Sequence, residues 1–309
     1  MSPVTEIKLN NGIVMPTIAT GSWVPPRDEK AHSDAKNWLL TALQAGYRHI
    51  DTAEIYGTED VVGEAVRASG IPREQIFVTT KLAWNEQGRV AEAFEETIQR
   101  LGLGYIDLYL IHWPQAVVYE KGNYVPKNPD GTLKMNDAVN FNIAWAEMEK
   151  LLGTGKVRAI GVSNFSVKTL DQLFTTAKVT PAVNQVELHP YLAQEDLRKY
   201  CTQKGIVLQA YTPSGWANVR NDLVILELAK KYKATSTQII LSWHLAREVP
   251  IVAKSADKER QKENFAVITL DAEDVAEVSS LDRGQRICNV PTEQNNWIVH
   301  GWTAEQLGW

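Results

Sequence analysis

Short runs of β-branched and aliphatic residues alternate along this chain with longer stretches whose apolar positions recur every three to four residues. The first pattern is that of a buried strand, the second that of a helix with one buried face. Ile18–Thr20, Arg48–Asp51, Phe77–Lys81, Ile106–Ile111, Val157–Val162, Val183–Glu187, Val207–Tyr211 and Pro250–Ala253 predict eight strands. Between them the helical period covers Lys30–Gln44, Glu59–Ala68, Val90–Leu101, Ala138–Leu152, Val167–Thr176, Glu195–Lys204, Asp222–Tyr232 with Ser236–Arg247, and Asp257–Ala266. A further helix is expected over Asp271–Leu281. Thr58 and Asp222 stand where N-caps are needed, and Gly46, Gly70 and Gly205 where a left-handed residue ends a helix.

A strand–helix unit repeated eight times over roughly 240 residues is the pattern of a closed (β/α)8 barrel, the TIM-barrel form of the α/β class. A doubly wound sheet is the competing arrangement. No strand is followed by the G-x-G-x-x-G loop that a nucleotide site of that fold needs, which favours the barrel. Ahead of the first barrel strand, Ile7-Lys8-Leu9 and Ile13-Val14-Met15 flank Asn10-Asn11-Gly12. Asn-Gly between apolar runs predicts a hairpin, because both residues tolerate positive φ. Such a hairpin would plug the bottom of the barrel, while the helix over Asp271–Leu281 and the tail beyond it stand outside the eightfold count. No linker, low-complexity tract or internal duplication interrupts the pattern, so residues 1–309 read as one domain.

Composition narrows the chemistry. With 44% apolar and 22% charged residues, the 309-residue chain has the make-up of a folded enzyme. A net charge of −5 supplies no basic face for a phosphate backbone, so nucleic acid is not an expected partner. No window approaches about eighteen uninterrupted apolar residues. Met1–Glu6 lacks the basic-then-apolar order of a secretory signal. The expectation is a cytoplasmic protein without membrane contact, and no repeated apolar seam speaks against a monomer. Cys201 and Cys288, the two cysteines, read as reduced thiols. No C-x-x-C or H-E-x-x-H occurs and the six histidines form no H-x-H pair, so no metal is expected.

In a barrel of this kind chemistry gathers where strands end. Strand two delivers Asp51 with Tyr56 one short loop later, strand three Lys81, strand four His112, strand five Ser163 and Asn164, strand six Gln185 and Glu187, strand seven Tyr211, and strand eight Lys254 and Ser255. Singly, an Asp after a strand is an N-cap and a Lys snorkels to solvent; their convergence on one rim is the signal. A Lys81 ammonium beside the Tyr56 hydroxyl would lower a pKa normally near 10, and Asp51 would keep that ammonium charged. His112 would hydrogen-bond a carbonyl oxygen or share the proton of Tyr56. A tuned tyrosine suits protonation of an oxygen anion as a carbonyl receives hydride. Hydrolysis would want a nucleophile, a metal or paired carboxylates instead.

These residues lie in segments that resemble the aldo-keto reductase family over nearly the whole chain. Gly46-Tyr47-Arg48-His49-Ile50-Asp51-Thr52-Ala53-Glu54-Ile55-Tyr56 is similar to its first signature, Met148-Glu149 through Gly155-Lys156-Val157-Arg158-Ala159-Ile160-Gly161-Val162-Ser163-Asn164-Phe165 to its second, and Lys254-Ser255, Arg260 and Glu263-Asn264 to its third. The resemblance implies a barrel, a nicotinamide cofactor held without a Rossmann domain, and reversible carbonyl reduction. It implies that Asp51, Tyr56, Lys81 and His112 form the catalytic set with Tyr56 the general acid. Tyr211 would stack on the nicotinamide, followed by Thr212, while Ser163, Asn164 and Gln185 hydrogen-bond its carboxamide. Lys254, Ser255 and Arg260 supply two cations and a hydroxyl, which suits a 2′-phosphate and therefore NADPH over NADH. Glu263 and Asn264 would contact the adenine side.

The chain also departs from that pattern. Lys81-Leu82-Ala83-Trp84 displaces by one residue the aromatic usually found after the lysine. The segment Ala217–Asn221 is too short to fold over a pyrophosphate. Trp23 and Trp113 match pocket positions of the family, and Trp297 joins them from a tail, Asn289-Val290-Pro291 to Asn295-Asn296-Trp297, that resembles fungal and yeast sugar reductases. Its amides would read sugar hydroxyls. Arg220, Lys121 and Lys127 are candidate receptors for the carboxylate of a uronate. The expected substrate is an aldehyde or the open-chain form of a sugar or sugar acid. Two readings compete: a non-catalytic NADPH-binding regulatory subunit of the same fold, and a barrel hydrolase.

Overall fold

The computed structural model describes residues 5–25, 28–295 and 298–309. An antiparallel hairpin comes first, β1 (Glu6–Lys8) paired with β2 (Val14–Pro16). Then follow β3 (Ile18–Gly21), α1 (Glu29–Gln44), β4 (His49–Asp51), α2 (Glu59–Ala68), β5 (Phe77–Leu82), α3 (Val90–Leu101), β6 (Ile106–Ile111) and α4 (Phe141–Leu151). The second half continues with β7 (Val157–Ser163), α5 (Val167–Phe174), β8 (Val183–Glu187), α6 (Glu195–Gln203), β9 (Val207–Tyr211), α7 (Trp216–Arg220), α8 (Leu223–Tyr232), α9 (Ser236–Ala246), β10 (Ile251–Val252) and α10 (Lys258–Phe265). After α11 (Ala272–Ser279), the tail forms a small hairpin, β11 (Ile298–Val299) and β12 (Trp302–Thr303), and one helical turn, α12 (Ala304–Leu307). Strands β3 to β10 are parallel neighbours in chain order, and β10 pairs with both β3 and β9 to close the barrel.

The eight expected strands are the eight barrel strands, three with unchanged bounds and five with ends shifted by one residue. Gly46, Gly70 and Gly205 follow the helix ends at φ of 112°, 69° and 71°. Asp222 caps α8 through the Val224 amide. Thr58 precedes α2 but does not cap it with its side chain; its hydroxyl instead meets Ser22 Oγ at 2.9 Å and Thr52 Oγ1 at 3.1 Å. The stretch expected as a short loop at Ala217–Asn221 is mostly the helical turn α7. Both cysteines are free thiols.

Strand periodicity explains where the polar residues go. Alternate side chains point into the barrel. At its lower end Phe77, Leu108, Leu110, Ala159 and Val183 pack with Leu9 and Met15 of the N-terminal hairpin, which is thus the plug expected from sequence. A Cβ on Gly161 would lie 2.6 Å from the Val183 carbonyl oxygen, so this inward position admits no side chain and Leu110 fills the space. Further along β5, β8 and β9 the inward positions become Thr79, Lys81, Gln185 and Gln209, all buried. The opposite strand faces pack on the helices in one apolar shell that includes Ile50, Val78, Tyr109, Ile160 and Val186. The barrel is dry at one end and polar at the other, and the polar end is where the loops gather.

Candidate active site

At the polar end Lys81, whose side chain is 1% exposed, donates from Nζ to Asp51 Oδ1 at 2.6 Å and to the Thr52 carbonyl at 2.8 Å. Asp51 Oδ2 accepts from Gln185 Nε2 at 2.7 Å, and the same amide donates to Gln209 Oε1 at 2.9 Å. Residues of four strands are thereby tied across the barrel. Tyr56 follows on a 3-10 turn over Glu54–Tyr56 closed by Gly57 at φ 64°. Its ring meets that of His112 edge-on, with centroids 5.6 Å apart, and Lys81 Nζ lies 5.2 Å from its centroid. Asp51, Tyr56, Lys81 and His112 thus come together as expected from sequence.

The electrostatics differ from the expectation in one respect. Lys81 was expected to lower the pKa of Tyr56. Burial and then the Asp51 carboxylate instead push the phenol above its usual value. The reason is that Lys81 is already hydrogen-bonded to Asp51, so the pair presents little net positive charge, and desolvation of the phenolate decides the direction. Burial also draws Lys81 downward, opposed by Asp51. His112 is held well below the ordinary imidazole value by burial first, then by Lys81 and His300. Its Nδ1 is buried with no hydrogen-bond partner. A neutral imidazole and a protonated phenol therefore face one another across neutral pH.

Beside them, Tyr211 donates its hydroxyl to Asn164 Oδ1 at 2.8 Å. Asn164 Nδ2 donates to the His112 carbonyl at 3.0 Å and to Ser163 Oγ at 3.2 Å, and Ser163 Oγ donates to the Gln185 carbonyl at 2.8 Å. Asn164 holds φ at 63°, a conformation in which asparagine is enriched. Thr212 also has positive φ, 50°, and its hydroxyl contacts Cys288 Sγ at 3.4 Å. These groups form one interlocked set, so the amides proposed for a carboxamide are already oriented by the protein.

After β10, Lys254 is exposed and Ser255 accepts from the Asp257 amide at 3.1 Å. Asp257 caps α10 through the Arg260 amide at 2.9 Å. Burial and the neighbouring Arg260 draw Lys254 below its usual pKa. Among the described residues the one carboxylate within 4 Å of either cation is Asp257, 3.9 Å from Arg260 Nε. Two mutually repelling cations without a hydrogen-bonded carboxylate are suited to a dianionic phosphate, which would relieve the repulsion. Glu263 is half-buried and Asn264 buried on the same helix. The chain thus meets the donor requirements of a 2′-phosphorylated nicotinamide dinucleotide.

The outer wall is aromatic. Trp84, Trp113, Val117, Val299 and Leu307 form a separate buried cluster over the mouth. Trp113 is 3% exposed, whereas Trp23 stands 47% exposed on the rim. Trp297 lies outside the described residues. Lys121 and Lys127 are exposed, and Arg220 is half-buried on α7. The Asn295 amide, expected to read hydroxyls, instead closes its own turn, donating to the Val290 carbonyl at 2.8 Å and accepting from the Thr292 amide at 2.7 Å. A cavity of about 410 Å³ lined by Asn164, Ser166, Leu192, Arg286 and Trp309 touches this site at Asn164 only.

Glu187, wholly buried at the end of β8, stood among the strand-end polar residues in the sequence but was given no role there. Its Oε1 accepts from the Ile287 and Cys288 amides at 2.6 and 3.0 Å, which ties the tail to the rim. His300 was missed. It stacks on Trp84 with centroids 4.7 Å apart and meets Trp113 at 4.6 Å. A signal for it exists in the sequence: His300-Gly301 lies between Ile298-Val299 and Trp302-Thr303, the spacing of a two-residue hairpin.

At the mouth of a closed parallel barrel the chain thus gathers a buried Lys–Asp pair, a tyrosine and a histidine. The chain belongs to the aldo/keto reductase family, whose model matches residues 17–283. Glycerol 2-dehydrogenase (NADP(+)) of Saccharomyces cerevisiae is 42% identical over 288 residues, 90% of each chain. D-galacturonate reductase of Hypocrea jecorina is 38% identical over 278 residues, 88% of each chain. The aldose reductase structure from Schistosoma japonicum matches with a TM-score of 0.85 at 33% identity, covering 94% of this chain and 95% of that one.

Proposed function

We propose that this protein reduces an aldehyde, or the open-chain form of a sugar or sugar acid, to the alcohol, with Tyr56 as the general acid. Family membership makes the chain an oxidoreductase, and its similarity to an NADP(+)-dependent glycerol dehydrogenase and to reductases makes NADPH the cofactor. The observation that carries the reading is the Lys81–Asp51 pair set against the edge-to-face rings of Tyr56 and His112.

The bound nicotinamide supplies the hydride. The protein's own part is binding, orientation and the proton. Tyr211, Asn164, Ser163 and Gln185 would hold the ring and its carboxamide, and Lys254, Ser255 and Arg260 the 2′-phosphate, with Thr212, Glu263 and Asn264 alongside. Trp23 and Trp113 would flank the substrate. Its oxygen sits between Tyr56 and neutral His112, whose N–H donates a hydrogen bond to it. As the carbonyl becomes an alkoxide, the Tyr56 O–H bond breaks and its proton completes the alcohol. The phenolate left behind faces Lys81, which Asp51 and the Thr52 carbonyl keep in place. A phenol that holds its proton through neutral pH guarantees that the acid is loaded before hydride arrives.

Tyr56→Phe tests this directly. Turnover of nitrobenzaldehyde with NADPH should fall at least about 100-fold, the lower bound for losing a general acid, while NADPH binding followed by tryptophan quenching stays within two-fold. A variant with near-normal kcat refutes the role of Tyr56. A wild-type protein that binds NADPH yet reduces no member of a carbonyl panel refutes the enzymatic reading and favours a regulatory subunit.

A further inference from the structure

The tail hairpin places the polar side chain of His300 against the aromatic and aliphatic cluster of Trp84, Trp113, Val117, Val299 and Leu307. Its two-residue turn, His300-Gly301, has φ of 48° and 86°, the double positive φ of a type I′ connection. The turn is pressed onto the long loop after β6: a Cβ on Gly301 would lie 2.3 Å from Met135 Sδ. Gln115 Nε2 holds the strand before it through the Val299 carbonyl at 3.0 Å. A non-glycine residue held at positive φ is costly and persists where the surroundings over-determine it. Here they force the His300 imidazole between two indoles, stacked on Trp84 at 25° and edge-on to Trp113 at 67°.

Trp84 also approaches His112, with centroids 6.2 Å apart, so the same indole neighbours both imidazoles. A charge on His300 is close enough to disfavour a charge on His112. Burial holds His300 down to about 4, which leaves it uncharged at neutral pH with one donor and one acceptor nitrogen. Neither ring nitrogen makes a hydrogen bond within the described residues. The Asn295 amide is engaged in its own turn, and among the described residues His300 offers free ring nitrogens from this wall to a bound molecule.

We propose that His300 is a specificity-determining residue that hydrogen-bonds a hydroxyl next to the reacting carbonyl, so that the site prefers hydroxyaldehydes over plain aldehydes. The inference rests on the carbonyl-reductase reading and deepens it. Aldoses and uronates both carry this hydroxyl. A neutral imidazole serves either, while the indoles cover the carbon skeleton between its polar groups.

The test compares glyceraldehyde with propanal, which differ by hydroxyls, in the wild type, His300→Ala and His300→Asn. Asparagine tolerates positive φ and keeps a donor and an acceptor. In His300→Ala the kcat/KM ratio of glyceraldehyde to propanal should fall about 2- to 12-fold, the range expected for one hydrogen bond. His300→Asn should restore most of it. NADPH affinity and nitrobenzaldehyde turnover check that the alanine variant is folded and loaded. An unchanged ratio, or a fall that asparagine does not restore, overturns the proposal, the latter because it would make His300 a shape element only. A wild type inert toward nitrobenzaldehyde overturns the underlying reading, and this one with it.

Discussion

Replacing Lys81 by methionine isolates the buried pair on which the candidate site is built. Methionine nearly matches the lysine stem in volume, so packing changes little. What remains is the Asp51 carboxylate, 4% exposed, with its Lys81 donor gone and Gln185 Nε2 at 2.7 Å still in place. Removing one partner of a buried ion pair costs about 3–5 kcal/mol, because the other charge stays buried and uncompensated. At roughly 2 °C per kcal/mol for a chain of this size, the melting temperature should drop by about 6–10 °C. Adding Asp51→Asn removes the orphaned charge, and the double variant should regain at least half of that loss. Thermal unfolding by circular dichroism on all four members of the cycle gives the coupling. Turnover should stay low in the double variant, which separates the electrostatic role from the structural one. A single Lys81→Met variant melting within about 2 °C of wild type would refute the reasoning, as would a double variant less stable than the single.

Two further predictions follow from charges away from that pair. Lys254→Met with Arg260→Ala should raise KM for NADPH at least about ten-fold while leaving KM for NADH within about two-fold, since a charge-assisted contact is lost for only one cofactor; equal effects on both would sink the 2′-phosphate assignment. Glu54, buried beside Glu86 and Glu59, is pushed up to about 8 by burial first and then by Glu86. A raised acid contributes stability that is complete below its ordinary pKa and is lost as pH rises through the folded value. The melting temperature should therefore decline from pH 6.5 to 9, and Glu54→Gln should flatten that decline; identical slopes in the two proteins would rule Glu54 out as its source.

Much of the architecture was legible because its determinants are local. The barrel strands are short apolar runs rich in β-branched residues, the predicted stops Gly46, Gly70 and Gly205 all hold positive φ, and the Asn11-Gly12 turn sits between two apolar runs. Period two then dictates that Phe77, Thr79 and Lys81 share one face, so a polar residue two places beyond an apolar one must reach the mouth. The candidate tetrad follows from that alternation together with the family motifs.

What the chain alone does not decide is how those groups act on each other at a distance. The direction of the Tyr56 shift turned on whether Lys81 was free or already bound to Asp51, and on how completely the phenol is buried. The tail was beyond local reading as well: Gln115 meets the Val299 carbonyl, 184 residues away, and Glu187 meets the Ile287 and Cys288 amides about 100 residues on. Residue type and spacing set which side chains point at the mouth. Burial and long-range partners set their charges, because desolvation and Coulomb terms depend on what three-dimensional packing brings within a few ångströms.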